Sequence, residues 1–331
     1  MSPSDLSRAL LRYCEPSMRR AVFEVAVTFV PLCLLWAAMW LSLDVGYWLT
    51  LLLAVPAGGL LVRLFIIQHD CGHGAFFRSR AANTWTGRVL GVLTLTPFDY
   101  WKRNHAGHHA TSSNLDRRGT GDIDLLTVEE YRAKPWWGRL SYRIYRSAPV
   151  MFVIGPAWLF FLQHRLPFHQ WRDGWRPWIS TMGTNIGIAA LVVGMIALVG
   201  WAPFLMVHVP IMAIAASMGV WLFYVQHQFE DVAWARTKGW SHHDAAMSGS
   251  SHYDLPAPLR WLSGNIGIHH IHHLNSRIPF YLLPKVLRDH PHLKAVGRLT
   301  LKDSLKTVPL SLWCEQREKL VSFRAALSNP N

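Results

Sequence analysis

The chain has 331 residues and a formal net charge of +13; 51% of the residues are hydrophobic and 16% charged, with a mean hydropathy of +0.14. Two soluble domains of this total length would carry more charge and less apolar sequence, so the composition points to a polytopic membrane protein. The positive charge does not indicate nucleic acid, because no basic stripe accompanies a known nucleic-acid-binding fold.

In chain order, the first twenty residues are polar, show no small-residue cleavage site after a short apolar region, and end in Arg19-Arg20. The first apolar run is therefore expected to act as the anchor and to run from inside to outside. Four runs, residues 21–43, 47–68, 183–201 and 203–226, are each about 19 to 24 residues long, enough for a helix to cross a ~30 Å hydrocarbon core. The short turn at Ser42–Gly46 makes the first two a hairpin, and the last two form a second hairpin. Residues 84–98 and 147–163 are apolar but short and broken by glycine or proline, and read as interfacial or re-entrant helices. Residues 110–122 read as a turn-rich loop, and residues 128–145 as one amphipathic surface helix with Trp136-Trp137 at headgroup level. The basic residues between the two hairpins place that stretch in the cytoplasm by the positive-inside rule. Cys14, Cys33, Cys71 and Cys314 form no C-x-x-C pair, so neither a disulfide framework nor a cysteine metal site is indicated. No repeat or linker divides the chain, which reads as a single domain over residues 1–331.

The histidines carry the chemistry. H-x-x-H-H occurs at His105-Ala106-Gly107-His108-His109 and again at His269-His270-Ile271-His272-His273, and H-x-x-x-H at His69-Asp70-Cys71-Gly72-His73. With 18 histidines in 331 residues, one H-x-x-H-H is expected by chance roughly 0.05 times. On a helix these spacings put His69 with His73, His105 with His108 and His109, and His269 with His272 and His273, each set on one face. His227 stands at the end of the fourth apolar run, level with His69. These nine imidazoles are too many for one ion, so two metals sharing them is the economical reading; imidazole suits iron, zinc, copper or nickel, and spacing does not choose among these. Asp70 and Asn265 are candidates to orient ligands from behind. His270 points off the shared face, and the remaining histidines read as ordinary hydrogen-bonded residues.

HDCGH, HAGHH and HHIHH in this order, with Phe223-Tyr224-Val225-Gln226-His227-Gln228-Phe229-Glu230 between the last two, resemble the membrane fatty acid desaturases, most closely the acyl-lipid omega-6 (delta-12) branch. The flanks resemble that branch too, at Leu115–Asp122, at Thr127–Tyr131, and from Gly264-Asn265-Ile266-Gly267 to Pro279. The resemblance implies a non-haem di-iron centre (two Fe2+) on the cytoplasmic face, ligated by His69, His73, His105, His108, His109, His227, His269, His272 and His273, which uses O2 and two electrons to remove two hydrogens from an acyl chain. One departure concerns the related acyl-CoA desaturases, in which an asparagine lies one turn before the lone histidine; that position here is Phe223.

The chemistry agrees with that implication. An unactivated methylene offers no acidic proton and no leaving group, so acid–base or nucleophilic catalysis has nothing to act on and a redox metal is required. The chain shows no G-x-G-x-x-G after a strand, no C-x-x-C-H and no iron–sulfur cysteine pattern, so a ferredoxin-like or cytochrome-like partner is expected to supply the electrons. The expected fold is an all-α integral membrane protein, with four transmembrane helices in two hairpins and a cytoplasmic helical cap (residues 69–182 and 227–331) holding the di-metal site. A hydroxylase on the same scaffold is the nearest rival. A metal transporter is remote, because transport sites sit near the bilayer midplane and these histidines lie at span ends.

Overall fold

The computed structural model describes residues 2–119 and 121–328, so Thr120 of the predicted loop lies outside the described residues. Four helices are long and apolar enough to cross a membrane, and they are arranged as two hairpins. The first, Met18–Leu41, is capped by the Ser17 hydroxyl, which accepts from the Arg20 amide. The second, Tyr47–His73, is the most buried of the four and packs against both the first and the fourth, Trp201–His227. Gly58 makes the last contact close: a Cβ there would sit 2.6 Å from the Ile214 side chain, so only glycine lets the second and fourth helices approach to this degree. The third helix is Trp175–Val199.

These helices run past the predicted hydrophobic runs. The second continues five residues beyond Gln68 to His73, where Gly74 at φ 67° ends it. Ala75 N–H donates to the Asp70 carbonyl and Gly74 N–H to the Cys71 carbonyl, the paired bonds of a Schellman stop. The H-D-C-G-H segment is therefore the last turn of a spanning helix.

The stretch between the hairpins departs from expectation in detail. The first ambiguous apolar run forms helix Arg80–Leu93, followed by a turn with Leu95 at φ 53° and helix Phe98–Thr111, which carries the second histidine group. The surface helix expected over residues 128–145 is two helices, Val128–Ala133 and Trp136–Tyr145. Pro135 separates them because it cannot continue a helix and disfavours helical geometry in the residue before it. Thr127 and Glu130 form a capping box that starts the first. The apolar run that follows is a wide-turned helix bent by 57° from Trp136–Tyr145, and the pair qualifies as a broken span or a re-entrant segment.

Two small sheets supplement the helices. Leu126–Thr127 pairs parallel with Leu310–Cys314, which pairs antiparallel with Lys319–Ser322. His252–Asp254 pairs parallel with Arg298–Thr300. The second sheet leads into the third histidine group, because the Ser251 carbonyl accepts from the His269 and His270 amides at 3.2 and 3.3 Å. A buried ion pair between Arg63 and Glu24 joins the first two helices. Arg63 also donates to the Trp261 carbonyl and lies 4.2 Å from the Trp261 ring centroid, fastening the histidine-bearing segments to the membrane helices. Removing one partner of such a pair costs about 3–5 kcal/mol.

Candidate metal centre

Four segments converge at one end of the helix bundle. His69 and His73 come from the last turn of the second long helix, and His105, His108 and His109 from Phe98–Thr111. His227 is the last residue of the fourth long helix, and His269, His272 and His273 stand on the short helix His269–Leu274. The nine rings form two cages. His69, His73, His105, His109 and His272 make one, His108, His227, His269 and His273 the other, and within each cage the ligand nitrogens all lie within 4.8 Å of one another.

The partition follows a rule of spacing. Every i, i+4 pair, His69 with His73, His105 with His109 and His269 with His273, stays within one cage. The i+3 histidine of each H-x-x-H-H crosses over: His108 joins the four-membered cage and His272 the five-membered one. Neighbouring residues on a helix differ by about 100° in direction, enough to send His108 and His109 to different centres. The cages touch where the His109 and His273 rings stack, 4.2 Å between centroids.

Each cage fits a cation better than it fits hydrogen bonding. In the five-membered cage Nε2 of His105 lies 3.0 Å from that of His73 and 3.1 Å from that of His109, which lies 3.1 Å from that of His272. In the other, Nε2 of His227 lies 3.2 Å from His108 and 3.0 Å from His269, which lies 3.1 Å from His273. A neutral imidazole nitrogen carries either one hydrogen or one lone pair, so an atom with two or more such neighbours cannot satisfy them all in its ring plane. Metal–nitrogen bonds of ~2.0–2.1 Å would set nitrogens at right angles ~3.0 Å apart, matching these contacts. Burial first, and then the fields of neighbouring imidazoles, holds His105, His109, His269, His272 and His273 well below the usual histidine range. At neutral pH their lone pairs are free for a metal.

Sequence comparison gives the same reading. The chain matches the fatty acid desaturase family across residues 45–298. A fatty acid desaturase of Bacillus subtilis is 45% identical over 97% of this chain and 91% of its own length. The chain belongs to the fatty acid desaturase family. More distant relatives of the enzyme include an sn-1 acyl-lipid omega-3 desaturase (ferredoxin) of Synechocystis, 28% identical over 68% of this chain and 63% of its own. An sn-1 oleoyl-lipid 12-desaturase of Anabaena variabilis is 26% identical over 84% of this chain and 79% of its own.

Groups behind the cages hold several of the enzyme's rings. His69 Nδ1 lies 3.3 Å from Asp70 Oδ1, while the other Asp70 oxygen accepts from the Phe280 amide at 2.7 Å. His108 Nδ1 lies 2.5 Å from Asp122 Oδ1, and His227 Nδ1 is 3.1 Å from the Gly249 carbonyl, to which it donates. Asn265 sits in a turn at φ 55°, outside helix His269–Leu274, and its amide donates to the Phe280 carbonyl at 3.4 Å. His270 is buried away from both cages with Nε2 3.0 Å from the Leu293 carbonyl. Phe223 packs 5.2 Å from the rings of both His108 and His227, an apolar wall beside them. Asp122 and Gly249 escaped sequence reasoning because they reach the histidines through loops without periodicity. Trp101, stacked 4.7 Å from His105 at 13°, stands one helical turn before it and could have been read from that spacing.

Proposed function

We propose that the enzyme introduces a double bond into the fatty acyl chain of a membrane lipid, using O2, two protons and two electrons from a separate donor and releasing two waters. The site would be a di-iron centre held by His69, His73, His105, His109 and His272 on one side and by His108, His227, His269 and His273 on the other. The observation that supports this most is the division of nine imidazoles into two touching cages at the end of long apolar helices. When bound, iron supplies the oxidising power that an unactivated methylene requires. The chain's own part is to hold and shield. Asp122 and the Gly249 carbonyl fix the His108 and His227 rings through Nδ1, keeping Nε2 turned inward. Phe223 excludes water beside those two rings. Asp70 and Asn265 stand behind the ligands as supporting residues, the first against His69 and the second through the Phe280 loop that also binds Asp70.

The finer reading places the new bond at the delta-12 (omega-6) position, a preference supported by the 12-desaturases among the more distant relatives. A ferredoxin-like or cytochrome-like protein would deliver the electrons, and one relative's name includes ferredoxin. We place the histidine centre on the cytoplasmic face, with residues 69–182 and 227–331 as its cap within a single domain spanning residues 1–331. The distribution of arginine and lysine about the hairpins supports that orientation.

The test is the fatty-acid profile of a host that makes no polyunsaturated lipid, expressing the wild type or His272→Ala, with double bonds located by mass spectrometry. A new double bond present only with the wild type is expected, and its position decides the regiochemistry. A hydroxylated chain would replace this reading with oxygen insertion on the same scaffold.

A further inference from the structure

Outside the metal centre the molecule has an open cavity of about 520 Å³ where helix Trp136–Tyr145 meets the C-terminal strands, lined by Arg143, Arg146, Arg324, Ser147, Ser322 and Phe323 among others. Among the described residues no carboxylate lines it. Among the described residues none of the three arginines forms an ion pair. Arg146 is buried and spends its donors on the Gln228 side chain at 2.9 Å and on the carbonyls of Leu310 and Asp124. Arg143 gives one N–H to the Tyr131 hydroxyl and lies 5.4 Å from the Phe323 ring, leaving most of its fork unused. Arg324 is exposed, and among the described residues its side chain makes no hydrogen bond. The cavity thus concentrates three unneutralised cations in a cleft whose remaining walls are hydroxyls and apolar side chains, the chemistry that recognises a phosphate ester with a hydrocarbon body attached.

Two further features decide what carries that phosphate. Trp136, Leu140 and Ile144, spaced i, i+4, i+8, are 71%, 49% and 54% exposed, so the helix that carries Arg143 presents an unpartnered apolar stripe of the kind that suits a membrane interface. At the back of the cavity, Arg146 holds Gln228, the residue after the cage histidine His227. A lipid whose phosphate entered here would start its acyl chains close to the metal centre.

We propose that this cavity binds the phosphodiester of a membrane phospholipid and that Arg143 and Arg324 hold the substrate by its headgroup. The inference rests on the desaturase reading above and names the lipid class it acts on. Binding of dihexanoyl-phosphatidylglycerol to the purified full-length protein in detergent tests it, with Arg324→Glu and Arg143→Ala as variants and Arg139→Glu, on the same helix but not lining the cavity, as control. Loss of charge-assisted contacts predicts about tenfold or more weaker binding in the two variants and little change in the control. Equal binding of a phosphate-free galactosyl lipid of the same chain length would overturn the proposal, as would equal weakening by Arg139→Glu. Displacement by millimolar inorganic phosphate or by coenzyme A would assign the cavity to a soluble phosphate and overturn the lipid. In cells, a wild type that desaturates while Arg324→Glu leaves the distribution of product among headgroup classes unchanged would sink this proposal alone. A wild type that desaturates nothing would sink the parent reading and leave the binding result standing.

Discussion

The two cages are built from the same residue type but meet their surroundings differently. In the five-membered cage His73, His105 and His109 are partly exposed, and only His69 has a carboxylate nearby, at 3.3 Å. All four histidines of the other cage are buried, and two are gripped from behind, His108 by Asp122 at 2.5 Å and His227 by the Gly249 carbonyl at 3.1 Å. The outer cage has donors to spare and rings that solvent can reach. The inner cage has fewer donors, and its rigidity comes from groups behind them.

The largest effects should come from the ligands, and they should separate the cages. His269→Ala leaves three donors inside, His105→Ala four outside. Both are expected to lower product formation by roughly 100-fold or more. Metal analysis of the purified variants should show the inner ion lost in the first and largely retained in the second. Equal loss in both would mean that the cages bind as one unit.

Next come the groups behind the rings. Asp122→Asn should weaken metal retention against a chelator by about 10–100-fold at the inner site. Asp70→Asn should do less to metal and more to folding, since its second oxygen holds the Phe280 amide. The reverse ranking would show that the outer cage depends on its carboxylate more than the distances indicate.

A third measurement isolates one buried histidine outside the cages by its pH dependence. His270, buried outside both, is held down at about 3 by desolvation. The folded state therefore binds fewer protons than the unfolded one between about pH 3 and 6.5, so stability from this residue is complete above 6.5 and falls as pH drops through that window. The melting midpoint of metal-free protein should decline from pH 7 to pH 5, with a shallower slope in His270→Asn. An unchanged slope would remove His270 from the account.

The smallest effect is expected at Gly74→Ala, which forces a Cβ into φ 67° at the end of the second long helix and should cost about 1 kcal/mol. It displaces His73 alone among the ligands, so outer-cage metal should loosen while inner-cage metal stays, as chelation kinetics would show.

Much of this was legible in the chain. The apolar runs and their pairing into hairpins follow from hydropathy, and the i, i+4 repeats at His69/His73, His105/His109 and His269/His273 mark the helix turns that build the cages. Helix ends were less legible, because hydropathy reports the hydrocarbon core while the second helix continues through polar residues to Gly74. Which cage each histidine joins could not be read, since His108 and His109 are neighbours in sequence and part only when the facing helices are placed. Pro135 was a visible sign that residues 128–145 would not form one helix. Asp122 was not visible in this way, because its contact with His108 is made by a loop whose path depends on the sheet of Leu126–Thr127 and Leu310–Cys314.

The most direct test of the two-cage account is the iron content of the full-length protein purified from an iron-supplemented host, measured together with its Mössbauer spectrum. Two irons per chain with the signature of a coupled pair is the result the account predicts. A single iron, or zinc retained in its place by a preparation that still desaturates, would contradict it.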